Sequence, residues 1–346
     1  MMLGFFRSWT LGFGWISLST SLVDSLLQGV IGACAVCVLC NLLRMHLYIL
    51  CLNGPSHLRR EASKLRAQSQ LLEFLHLVIM SGLFSVVGAR VSSLVVLEFS
   101  LRTVSMLLSA KQEACGAQAF LLCQYSLGCG MTASLSYLNE SAPHSTCSLA
   151  LSTGLAGLLA WSLEKLVRHV TTMYQLHSTE RYCGACLSLL TTWHQVPALL
   201  GHAMKIAFAV ADVAAIFLIN RDFLTASEAL RFWTPLTICY TLLVIYMQEE
   251  QKQKSSEQSC IQTVCVRMGG LLILTLTVGR WVDVLHVLLS LLGELWCLIR
   301  VANMLEVCRL QEAIELQGRG GTRQLSTERR SRVSNTPKPG ALGDSD

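Results

Sequence analysis

From Leu236 to Met247 (LTICYTLLVIYM) the chain carries no charged side chain, and Gln248, Glu249 and Glu250 then end the apolar run abruptly. Phe232 and Trp233 stand before it and Tyr246 near its end, amphipathic rings suited to the two interfaces of a bilayer. Thr234 and Pro235 fit the N-cap and first position of a helix, where proline's missing N–H costs no hydrogen bond. The segment predicts a membrane-spanning helix. Hydrocarbon offers no water to the backbone, so a run of this kind must satisfy its own N–H and C=O groups, which a helix does within one segment.

Comparable runs recur from Leu26 to Val301 in a chain of 346 residues that is 52% hydrophobic and only 14% charged. Soluble domains carry about 25% charged residues, so the shortfall points to an all-α, multi-pass transmembrane helical bundle. Residues 25–302 read as that bundle. Residues 1–24 read as an N-terminal interfacial segment, with Phe5, Trp9, Phe13 and Ile16 at helical spacing although Gly12 and Gly14 weaken the pattern. No removable signal peptide is expected there. Residues 303–346 are a basic cytosolic tail, and from Gln317 the Gly/Ser/Arg/Pro-rich composition predicts disorder. Most of the 15 cysteines lie inside apolar runs, where they act as small apolar residues and not as a disulfide framework.

Spans are expected at residues 26–43, 71–89, 91–108, 117–138, 147–163, 202–220 and 236–247, with two more from 268–299. The stretch 71–108 is divided near Arg90 because a single helix would run to ~57 Å, against a hydrocarbon core of about 30 Å. The stretch 268–299 has the same length problem and is divided at Arg280–Asp283. Nine spans result; leaving one or both stretches whole gives eight or seven. With nine, the two sides hold 18 and 5 Lys/Arg, against 13 and 8 with seven. The positive-inside rule therefore favours nine, with the N-terminus outside or lumenal and the C-terminus cytosolic. Small-residue rows (Gly29, Ala33, Cys37; Ser126, Gly130, Ser134; Ala203, Ala207, Ala211, Ala215) predict faces where helices approach closely. Residues 53–70 read as a basic loop and 164–201 as the longest loop. Thr225-x-x-Glu228 predicts a capped, brief helix before the 236–247 span.

Several stretches resemble the transmembrane protein 82 family: VVLEFSLR at 95–102, LCQYSLGCG at 122–130, RYCGACL at 181–187, residues 208–212 and 223–251, VRMGGL at 266–271, TVGRW at 277–281 and LLSLLGELWC at 288–297. The likeness extends from Leu22 to Cys308, and the N-terminus and tail match poorly. It implies a multi-pass membrane protein and supplies no catalytic or binding residues.

Ionisable residues within spans are the candidate site. Asp212 and Lys205 are seven apart on one helix face, and Glu98 and Arg102 are an i,i+4 pair. Each intramembrane charge costs about 2.5–3.5 kcal/mol on insertion scales, so such groups face the bundle interior or an aqueous path. Two readings follow: a polar path for a small solute or proton, or charges that only hold helices together in a non-catalytic scaffold or accessory subunit. Cys183-Gly-Ala-Cys186 lies near His177 and His194, but zinc needs four ligands and no second C-x-x-C or H-x₃-H is present, so neither metal nor cofactor is expected. With no Walker loop, H-E-x-x-H, G-x-S-x-G or Rossmann glycines, enzyme activity is not expected. The bilayer is the expected partner, nucleic acid is not, and Arg329, Arg330 and Arg332 make the tail a candidate for contact with anionic lipid.

Overall fold

The computed structural model describes residues 2–65, 69–108, 116–140, 142, 144–179, 183–221, 223–251, 256–278 and 280–334, and no strand occurs among them. The helices are α1 (Met2–Asn53), α2 (Ser56–Glu61), α3 (Gln70–Leu108), α4 (Gly116–Leu122), α5 (Gln124–Asn139), α6 (Ser145–Thr179), α7 (Gly184–Thr192), α8 (Val196–Asn220), α9 (Ala226–Gln251), α10 (Ser256–Val278) and α11 (Trp281–Ser334). Among the described residues, five segments are long and apolar enough to cross a membrane: Ser21–Asn53, Gln70–Thr103, Ser145–His177, Trp193–Asn220 and Trp281–Gln311.

The expected break in α3 falls at Gly88, two residues before Arg90. Its φ of +75° and ψ of 164° are non-helical, in a region that glycine enters without a Cβ penalty. The partners of the two limbs show that α3 folds back on itself. Phe84, before the break, stacks on Tyr125 with centroids 5.4 Å apart, and a Cβ on Gly128 would strike its ring. Val96, after the break, lies 3.6 Å from where a Cβ on Gly130 would sit. A straight helix would hold residues 84 and 96 ~18 Å apart, yet both meet one turn of α5. The expected break between α10 and α11 also falls in place. Asp283 accepts the Arg280 N–H at 3.2 Å and pairs with Arg90 at 3.2 Å, so the two turns are tied together.

Contacts fix the helix directions. Gly29 packs on Ser81 and Ser85 while Arg44 meets Glu73, so α1 and the first limb of α3 are antiparallel. Cys40 bonds Gln124, and a Cβ on Gly32 would come within 2.9 Å of the Gly128 carbonyl, so α5 also runs against α1. Thr153 reaches the Leu27 carbonyl and Tyr48 the Thr171 carbonyl, so α6 runs with α1. Ala211 abuts Gly130, Tyr137 stacks on Phe217 and Arg221 pairs with Glu140, so α8 runs with α5. The predicted alanine row is thus half used: Ala211 and Ala215 are buried, whereas Ala203 is exposed.

Several boundaries differ from expectation. α9 begins at Ala226, with Pro235 inside it, so Thr234 and Pro235 do not start the helix. The start is the Thr225–Glu228 box, in which the Glu228 N–H bonds Thr225 and Glu228 accepts the Leu224 N–H. Side chains of 239–251, which include most of the uncharged run, lie outside the described residues. α6 continues past residue 163 to Thr179, because its charges find partners one turn away: Arg168 pairs with Glu164 at 2.6 Å and Lys165 covers the Trp161 ring at 3.7 Å. The basic loop at 53–70 contains α2 and a 3₁₀ turn, Ala62–Leu65, whose Leu58, Ala62 and Leu65 are buried. α11 runs to Ser334, through residues whose composition predicts none; 335–346 lie outside the described residues.

Candidate functional site

The second limb of α3, α10 and α11 each bring one charged residue to a common point midway along the helices. Arg267 of α10 donates from Nε to Glu98 Oε1 at 2.7 Å and from Nη2 to Glu98 Oε2 at 2.6 Å. Its Nη1 donates to Glu294 Oε1 of α11 at 2.8 Å. All three side chains are at most 3% exposed. Planar two-pronged pairing of guanidinium with carboxylate is the strongest geometry available to such groups, and here one guanidinium serves two carboxylates. Arg102, one turn beyond Glu98, does not take Glu98's carboxylate as the i,i+4 spacing suggests. Its guanidinium lies over the Phe99 ring at 5.1 Å, within electrostatic reach of Glu98, Glu294 and Arg267. Two carboxylates are thereby matched by two guanidiniums.

A second buried cluster has the opposite arrangement. Glu73, at the start of α3, takes Arg44 of α1 at 2.8 Å and Arg300 of α11 on its other oxygen. Beside it, Trp296 donates to His76 Nδ1 at 3.0 Å. Glu–Arg–Glu therefore joins α3 and α11 through α10, and Arg–Glu–Arg joins them together with α1, their α11 members lying six residues apart. Desolvation makes each ion costly, and removing one partner from such a group costs about 3–5 kcal/mol, because a charge is left buried alone.

The four predicted site residues are not brought together into one path. Glu98 belongs to the Arg267 cluster and Arg102 borders it. Asp212 of α8 instead accepts a 2.6 Å hydrogen bond from Ser100 of α3, on the face of α3 away from Glu98, and is half-buried. Lys205 is exposed, and it forms no bond with Asp212 two turns away. Beside the Arg267 cluster, Glu294 Oε2 is buried without a protein hydrogen-bond partner, and the buried Tyr125 and Ser290 hydroxyls face each other without a well-formed bond.

The C-x-x-C motif also finds company that its local sequence does not show. His169 and His177 of α6 stand beside Cys183 and Cys186, with one candidate ligand atom of each residue within 4.8 Å of the others. His194 stays outside the group, edge-on to Trp193. Cys183 immediately precedes α7, and the N–H groups of Cys186 and Ala185 aimed at its sulfur hold its thiol below the usual range. Burial pushes Cys186 up.

Arg267 falls just outside the spans read from the sequence, because the strongly apolar run begins only at Met268. The usable signal was the mixed stretch before it, where Val264 is already buried. No solved structure matches the chain. The profile of the family described as Transmembrane protein 82 matches residues 23–319, which takes in part of α1, part of α11, every helix between them and every residue of both charge clusters. The chain belongs to the transmembrane protein 82 family.

Proposed function

We propose that this protein is a non-catalytic membrane scaffold or accessory subunit whose intramembrane charges hold its helices in register. The observation that carries this reading is the use of Arg267 by both Glu98 and Glu294, which gives each buried carboxylate a counter-charge. The chain crosses the membrane nine times, with the N-terminus outside or lumenal and the C-terminus cytosolic. Support comes from the alternation of helix directions, the fold-back of α3 at Gly88 and the Lys/Arg asymmetry. Moving Arg267 from loop to interior leaves that asymmetry intact. The basic end of α11 contacts anionic lipid on the cytosolic side.

A transport reading is favoured by one observation, the group of unpartnered buried oxygens around Tyr125, Ser290 and Glu294. Buried polar atoms of this kind are normally satisfied by water or a polar ligand. Purified protein in vesicles bearing an imposed pH gradient separates the readings. The scaffold reading predicts no proton flux above protein-free vesicles. A flux abolished by Asp212→Asn in a normally folded protein overturns it.

A further inference from the structure

We infer that His169, His177, Cys183 and Cys186 form a zinc site that clamps the end of α6 to the start of α7. The four candidate ligand atoms all lie within 4.8 Å of one another. Cys183 Sγ is 3.6 Å from His169 Nε2, and Cys186 Sγ is 3.8 Å from His177 Nδ1. Zinc holds thiolate sulfur at about 2.3 Å and imidazole nitrogen at about 2.0–2.1 Å, so the S···N edge of a regular tetrahedron is ~3.6 Å. The first observed edge meets that value and the second lies slightly above it.

The helix explains how the histidines manage this. Residues eight apart rise ~12 Å along an α-helix, too far for two short side chains that point the same way. His169 uses its far nitrogen and His177 its near one, and the rings close to 5.2 Å between centroids. A C-x-x-C whose first cysteine caps a helix presents both sulfurs on one side of the turn. Cys186 is 1% exposed and the other three are half-buried, which shields the site without sealing it.

Ligand chemistry selects the metal. Two thiolates and two imidazoles are a soft, tetrahedral S₂N₂ set suited to Zn²⁺, whereas Mg²⁺ and Ca²⁺ require oxygen ligands. Four protein ligands fill the coordination sphere, leaving no open position for substrate, so the role is structural. On binding, each cysteine loses its thiol proton to solvent as the Zn–S bond forms, and each histidine binds neutral. Nothing in this argument depends on the scaffold reading or on the number of crossings.

The test uses the full chain, expressed with zinc supplementation and purified in detergent. Elemental analysis is expected to give about one zinc per chain, as a closed tetrahedral site requires. Zinc should fall by about tenfold or more in C183S/C186S and in H169A/H177A, and remain in H194A. Should the variants aggregate, chelator-stripped wild-type protein titrated with Co²⁺ decides the matter. Tetrahedral d–d bands together with a thiolate-to-cobalt charge-transfer band support the site. Absence of both zinc and that spectrum from wild-type protein overturns it, as does zinc retained undiminished in a folded C183S/C186S variant.

Discussion

Asp212 and Glu98 are both carboxylates near mid-span, yet their neighbours give them different consequences. Glu98 has a guanidinium on both oxygens, whereas Asp212 has a single hydroxyl donor, Ser100. An asparagine at 212 keeps an acceptor for Ser100 and removes the cost of a half-buried charge. D212N is therefore expected to melt within about 1 kcal/mol of wild type, whereas S100A, which strips the carboxylate of its donor, should lose about 1–3 kcal/mol. Thermal unfolding in detergent checks both, and a D212N variant much less stable than S100A would show that Asp212 holds contacts beyond Ser100. At this scale the sequence revealed which positions were costly but not who shares them. Glu98 was found from its setting in an apolar run, while Arg267 was hidden at the edge of one. His177 was seen beside the C-x-x-C, but His169 escaped notice because eight-residue spacing is no local zinc pattern; only the reach of opposite ring nitrogens brings the two together.

Elements were legible where length conflicts with bilayer thickness. That conflict located the breaks at Gly88 and around Arg280, because a helix of 38 residues cannot cross in one piece. It failed where a helix simply outlasts its apolar stretch, as α6 does beyond residue 163, where the half-buried Arg168 and Glu164 pair one turn apart. The fold-back at Gly88 yields a direct prediction. Any side chain there must adopt positive φ, so G88A should cost about 1–2 kcal/mol through backbone conformation alone, since nothing stands within 4 Å of the added Cβ. Gly128 tests packing instead. G128V would drive a side chain into the Phe84 ring, and a loss of about 1–3 kcal/mol is expected. Melting temperatures check the pair: an unchanged G88A would contradict the strained turn, and an unchanged G128V would contradict the close approach of α3 and α5.

For the whole molecule, α3 and α11 act as the common frame. Glu73 and Arg90 of α3 pair with Arg300 and Asp283 of α11, and Glu98 of α3 meets Glu294 of α11 through Arg267 of α10, so four ion pairs link these three helices. An odd number of crossings predicts that tags at Met1 and Asp346 lie on opposite faces of the membrane, with the tail cytosolic. Protease protection of both tags on one side would contradict it. The central claim is that the buried charges serve packing and nothing else. It is tested most directly by comparing the abundance and thermal stability of R267M with those of the neutral quadruple variant E98Q/R102M/R267M/E294Q. R267M leaves two carboxylates without their shared partner and should lose about 3–5 kcal/mol, while the quadruple variant, with no charge of the cluster left to strand, should recover most of that loss. A quadruple variant as unstable as R267M, or an R267M protein as stable as wild type, would contradict the account.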